Sequence, residues 1–155
     1  MSITQPDPVD TAEVLTEVEL DAWRGLLRVH ACMLKTLDAE LEASHRLPLM
    51  SYEVLMQLAD APEHRMRMCD LADSVLLSRS GMSRLVDRLE RDGLIKRQAC
   101  TADARGAFAC ITPAGLDAVA AARPTHLAGV RRCFLAHFSE AELQQLGTFW
   151  ARLLA

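Results

Sequence analysis

The sequence has no apolar run long enough to span a bilayer. Its first twenty residues, MSITQPDPVDTAEVLTEVEL, are acidic and lack the basic start and apolar stretch of a signal peptide. A cytoplasmic protein without a membrane partner is the expectation. The five cysteines, Cys32, Cys69, Cys100, Cys110 and Cys133, are odd in number and show no CxxC spacing. That argues against a disulfide framework and against a zinc ribbon, and for free thiols in a reducing compartment. Glycine and proline are too few for collagen or a low-complexity tract, and aromatics make up only 5%. No phosphate-binding glycine loop occurs, and no nucleophile, base and orienting group stand in a recognisable pattern, so the residues point neither to an enzyme nor to a bound cofactor.

What is there is a globular composition, 50% apolar and 25% charged, with a helical lean. At 155 residues one domain can bury a core without disulfides or metals. The formal net charge of -4 is unevenly placed: residues 65 to 105 hold nine Lys/Arg against six Asp/Glu, whereas the rest hold eight against fifteen. A local basic segment on an acidic protein suggests a polyanion site, because the field depends on where charges sit rather than on their sum.

Capping residues and apolar spacing divide the chain into elements. Thr16-Glu17-Val18-Glu19 is a capping box, and Trp23, Leu26, Leu27, His30, Leu34, Leu37 and Leu41 recur at helical spacing, which predicts one amphipathic helix over about 17 to 45. Val29, Ala31, Cys32 and Met33 add apolar surface off that stripe, so a partner surface is implied. Ser51 is expected to cap a second helix ending near Asp60, with Ala61-Pro62 as the break, and Cys69 to Val75 to form a short third. Ser78 caps a fourth helix that Gly93 stops, and residues 94–98 and 107–111 read as a β-hairpin around the polar loop TADARG. Thr112-Pro113 opens a long helix to Phe138 that Pro124 should kink or interrupt, and Ser139-Glu140-Ala141-Glu142 begins a last one to about Leu154.

The basic segment falls on the third and fourth helices and the hairpin, the arrangement of a helix-turn-helix plus wing. On the fourth helix Met82, Leu85, Val86 and Leu89 share one face, while Ser80, Ser83, Arg84 and Asp87 share the opposite one. The first face anchors; the second offers hydroxyls near the N-terminus and an arginine a turn later. Serines and helix N–H groups suit phosphates, and arginine can bond bidentately to guanine O6 and N7. The bland alternative is a solvated helix face with Asp87 and Arg91 as a surface pair. Lys96, Arg97 and Arg105 weigh against it by extending the same basic surface.

LSRSGMSRLVDRLERDGLIKR at 77–97, DARG at 103–106 and ITPAG at 111–115, in this order of helices, resemble the MarR family of bacterial transcription regulators from about Leu15 onward. The resemblance implies a mainly α fold in a single chain, 1–155. A winged helix-turn-helix DNA-binding lobe at 50–111 (α-α-α-α-β-β) would be joined to dimerisation helices at 15–46 and 112–155. It implies a homodimer that binds a near-palindromic operator in double-stranded DNA. On the matching positions Ser78, Arg79, Ser80, Ser83 and Arg84 would meet the major groove, Arg88, Lys96 and Arg97 would extend the basic surface, and Arg105 would reach the minor groove from a wing shaped by Asp103 and Gly106. Leu76 departs from the pattern, standing where many helix-turn-helix proteins place glycine.

Members of this family commonly release DNA when small phenolic or other anionic aromatic compounds bind between the dimerisation region and the DNA-binding lobe. The expected effector lining is Trp23, Arg24 and His30 with Ser51, Tyr52 and Met56, although Trp23 and His30 also suit a dimer core. This reading is of a repressor released by its ligand. A thiol-oxidation response is an alternative: Cys69, at the start of the third helix beside Arg65 and Arg67, is placed to favour a thiolate, against the plainer reading of an inert thiol. Another is a winged-helix module whose arginines bind an acidic protein rather than DNA. His126 and His137 lack a completing carboxylate or thiol, so no metal is expected.

Overall fold

The computed structural model describes residues 14–75, 78–99 and 107–154. They divide into two units, one up to Cys32 and one from Met33 on.

The first unit is the amino-terminal part of α1, Glu17–His45. Its capping box is formed: the Thr16 backbone N–H donates to Glu19 Oε2 at 2.8 Å, and the Glu19 N–H to Thr16 Oγ1 at 3.3 Å. Those bonds hold the Glu19 carboxyl below its ordinary range. Trp23, Leu26, Leu27 and Val29 are all exposed, so this length of helix carries apolar side chains that nothing in its own unit covers.

The second unit holds the core. α2, Leu49–Asp60, starts at Pro48 and is tied to α1 by Leu49 N–H donating to Asp38 Oδ1 at 2.8 Å. Ser51 was the expected cap, but it lies inside the helix and is buried, because Pro48 fixes the entry three residues earlier and Asp38 takes the capping acceptor role. A turn at Pro62–His64, with Glu63 at φ 53°, leads into a strand that spacing along the chain does not predict, β1, Arg65–Arg67. Then come α3, Met68–Ser74, and α4, Arg79–Arg91. The hairpin is β2, Ile95–Ala99, and β3, Ala107–Ile111, and the antiparallel sheet has the order β1-β3-β2.

Two glycines and a threonine fix how the chain leaves α4 and enters α5, Pro113–Cys133. Gly93 adopts φ 75°, a conformation that costs a glycine little, and turns the chain out of α4. At Gly115 a Cβ would stand 2.3 Å from the Leu94 carbonyl oxygen, so only glycine lets the start of α5 close against that turn. Thr112 completes the joint, its Oγ1 donating to the Gly93 carbonyl at 2.7 Å and accepting from Gly115 N–H at 3.1 Å.

α5 continues through Pro124 as one helix, so the proline does not interrupt it. The preceding turn is rich in alanine, and Val119 and Ala122 are buried where the helix packs on α2, which offsets the lost hydrogen bond. α5 does end early, at Cys133, before a 3₁₀ turn at Leu135–His137. α6, Glu140–Leu154, begins with the expected box: Ser139 N–H donates to Glu142 Oε2 at 2.8 Å. No described residue of α6 is buried. Among the described residues no helix is long and apolar enough to cross a membrane.

Candidate nucleic-acid interface

α4 is built as a helix with one face committed to the core. Met82, Val86 and Leu89 are buried to within 1% and Leu85 to within 7%, packed with Leu55, Leu58 and Leu71 in one cluster. Buried Ala72 lets α3 lie close by. Ser78 caps the helix, its Oγ accepting from Gly81 N–H at 3.1 Å and lying 3.3 Å from Ser80 Oγ. The opposite face, Ser80, Ser83, Arg84 and Asp87, is exposed as the helical angles required. Arg84 is in no ion pair among the described residues, and its Nε only leans back to the Ser80 carbonyl at 3.4 Å. A hydroxyl-rich first turn succeeded by a free guanidinium can meet phosphates and then a base edge.

Two of the expected DNA contacts are engaged elsewhere. Arg88 reaches to α2, donating to buried Ser51 Oγ at 3.0 Å. Arg97 is a clamp between wing and helix: its guanidinium meets Asp87 at 2.6 Å, Glu90 at 2.9 Å and the Ser83 carbonyl at 3.2 Å, while its backbone N–H donates to Glu90 Oε1 at 2.8 Å. Partial burial works against that charge, but the bonds and charges of Asp87 and Glu90 outweigh it and hold the guanidinium protonated more firmly than an ordinary arginine. Lys96, by contrast, is exposed on β2. Arg79 opens α4, and its side chain lies outside the described part of the molecule, as do Leu76 and the wing residues Asp103, Arg105 and Gly106.

The expected sensing residues separate just as clearly. Trp23, Arg24 and His30 are exposed on the first unit. In the second, Met56 is half-buried, whereas Ser51 and Tyr52 are closed into the core and line no open surface. The Tyr52 ring lies 4.7 Å from that of His126 on α5, and both the Tyr52 hydroxyl and His126 Nδ1 are buried without a hydrogen-bond partner. Burial holds the His126 imidazole below its ordinary value. Sequence reasoning missed this pair because α2 and α5 meet only in the folded chain. Cys69 is exposed, but its thiol donates to Asp70 Oδ1 at 3.2 Å, and Arg65 and Arg67 turn to the Phe108 ring instead. None of the four described cysteines is in a disulfide, and no group of three or more metal-ligating side chains forms among the described residues.

Residues 47–106 match the model of the MarR family. The structure is similar to a MarR family transcriptional regulator of Streptomyces coelicolor solved in complex with DNA, at TM-score 0.87 and 30% identity over 91% of this chain and 89% of that one. The chain belongs to the MarR family. AbsC, another MarR family regulator of Streptomyces coelicolor, is similar at TM-score 0.85 and 33% identity, covering 91% of this chain and 95% of that one. BpsR of Bordetella bronchiseptica, whose DNA binding is regulated by 6-hydroxynicotinic acid, shares the fold at TM-score 0.77 and 17% identity, over 87% of this chain and 99% of that one. No curated protein sequence matches. As a MarR protein the chain is a winged-helix, DNA-binding transcription regulator, in a family of regulators rather than enzymes.

Proposed function

We propose that this MarR protein is a homodimeric repressor that sets two copies of α4 in successive major grooves of a near-palindromic operator and is released by a small aromatic or anionic compound. The observation that carries the first half is the exposed polar face of α4, with Ser80, Ser83 and unpaired Arg84 standing opposite a fully anchored apolar face. Ser78, Arg79 and the wing residues Asp103, Arg105 and Gly106 complete the proposed contact set. Dimerisation by segments 15–46 and 112–155 is supported by the apolar side chains left uncovered on both, Trp23 and Leu27 on one and Phe149 and Trp150 on the other.

Release is supported by the route from α5 to α4. The unpartnered Tyr52 hydroxyl and His126 Nδ1 would each gain a hydrogen bond from a polar compound that reached them. Ser51, next to Tyr52, holds Arg88 of α4, so a compound that moved α2 would act on the recognition helix directly. Trp23, Arg24, His30 and Met56 stay candidates for the same role. The regulation of BpsR by 6-hydroxynicotinic acid favours a compound of this class.

A gel shift on the DNA upstream of the protein's own gene tests this, repeated with salicylate-like compounds, urate and peroxide. A shift at low salt that the aromatic acids reverse is expected. No shift would remove the operator reading. Reversal by peroxide alone, absent in Cys69→Ser, would replace the ligand by thiol oxidation. Arg84→Ala should cost about 1 to 3 kcal/mol of operator affinity and flatten discrimination between sequences. An unchanged operator affinity would show that Arg84 makes no base contact, whereas an acidic protein partner in place of DNA would give no shift at all.

A further inference from the structure

The outer face of the sheet carries cations that the reading by α4 does not use. Directly opposed residues of antiparallel strands share a face. The register puts Arg65, Cys110 and Lys96 in one row, and Arg67, Phe108 and Gln98 in the next. The alternate rows carry Ile95, Ala109 and Ile111 of the core cluster, so these two face away from the core; Cys110, although buried, is outside that cluster, its thiol 3.6 Å from Gln98 Oε1. The Arg65 and Arg67 guanidinium carbons lie 5.0 and 5.9 Å from the Phe108 ring centroid, a cation–π arrangement that holds long side chains flat on the sheet. Arg65 is engaged by Glu63, whereas Arg67 and Lys96 are exposed and in no ion pair among the described residues.

Position gives the strip its partner. Arg67 immediately precedes α3 and stands opposite Phe108, one ladder pair from Ala99 and Ala107, where β2 and β3 lead into the wing. It therefore joins the wing end of the sheet to the first helix of the helix-turn-helix. An open groove of about 320 Å³ runs there, lined among others by Pro62, Arg67, Asp70 and Phe108; Glu63 also borders it but is held by Arg65, and Asp70 accepts from the Cys69 thiol. β1 and β2 are two strand spacings apart, roughly 10 Å, so Arg67 and Lys96 are set to meet separate anions rather than share one.

We propose that Arg67 and Lys96, spread around Phe108, bind the sugar–phosphate backbone of the duplex beside the wing and add sequence-independent affinity to the reading by α4. The proposal rests on the DNA-binding role of this MarR protein, and a phosphate contact has its own signature. Its loss lowers affinity equally for all sequences and reduces the slope of log affinity against log salt by about 1 per phosphate lost.

Fluorescence anisotropy with two labelled duplexes, the DNA upstream of the gene and a random sequence of equal length, reads this over a salt titration. Arg67→Gln is expected to weaken both by the same several-fold factor and to flatten the slope, Lys96→Gln to do likewise, and Arg67→Lys to keep most of the affinity. Phe108→Leu should show a smaller loss. Arg84→Ala, by contrast, should lose more on the upstream DNA than on the random duplex. An Arg67→Gln protein with parental affinity and slope overturns the strip, as does a loss confined to the upstream DNA. A parent protein that binds neither duplex would instead overturn the DNA reading itself. Circular dichroism checks folding, and should Arg67→Gln lose helical signal, Lys96→Gln decides by the same two readouts.

Discussion

α4 and α6 are both amphipathic helices, yet they end in opposite situations. On α4 the apolar residues Met82, Val86 and Leu89 are closed off by the chain's own core, and what is left exposed is polar. On α6 no described residue is buried, and Phe149, Trp150 and Leu153 stand at 46%, 38% and 72% exposure. A helix satisfied within its own chain presents chemistry; one left with aromatic surface in water presents a demand for a partner. The difference supports the proposed division, with recognition by the first and assembly by the second.

Four measurements bear on that contrast. The largest effect is expected from Leu89→Ala, which empties a fully buried site under α4 and should cost about 2 to 5 kcal/mol in urea unfolding. If the loss is less than half the lower figure, α4 is not anchored as described. Trp150→Ala should leave helical content intact but weaken the proposed dimer by about 2 to 4 kcal/mol in sedimentation equilibrium. A dimer unchanged by it would mean that α6 is covered in another way.

Arg97→Ala comes next. Removing the clamp leaves Asp87 and Glu90 without their cation, but both carboxylates are open to solvent, so a stability loss of about 0.5 to 1 kcal/mol is expected. The salt slope of DNA binding should hardly move; a slope smaller by about 1 would return Arg97 to the direct phosphate contacts. The smallest effect concerns His126. Its folded-state value lies below the ordinary 6.5, so the unfolded chain takes up the proton first and stability falls as pH drops through about 6.5, levelling off below the folded-state value. Thermal melts between about pH 7.5 and about pH 5.5 should show that loss in the parent and less of it in His126→Phe. Equal pH dependence in both would show that the half-buried imidazole is not its source.

The contrast also separates what could be read in advance from what could not. Four helix starts were legible because capping is local: Thr16 with Glu19, Ser78 with Gly81, Thr112 with Pro113 and Ser139 with Glu142 all lie within one turn, whereas the start of α2 was not, its acceptor Asp38 lying eleven residues away. The two faces of α4 were legible for the same reason, since helical angle needs only spacing. β1 escaped because three residues, Arg-Met-Arg, carry no alternation to detect and become a strand only by pairing with β3.

Charge was the least transparent. Arg84, Arg88 and Arg97 look alike along the chain, but one faces outward, one reaches Ser51 on α2 and one locks β2 to α4. Neighbours along the chain were enough for most of the helices, for the apolar seam of the lobe and for the family resemblance, because periodicity, caps and motif residues are local properties. Which arginines remain free for DNA, where Phe108 gathers Arg65 and Arg67, and that Tyr52 and His126 share a buried contact were decided only by tertiary structure. Each depends on residues far apart in sequence arriving within a few ångströms, and short-range forces act only at that distance.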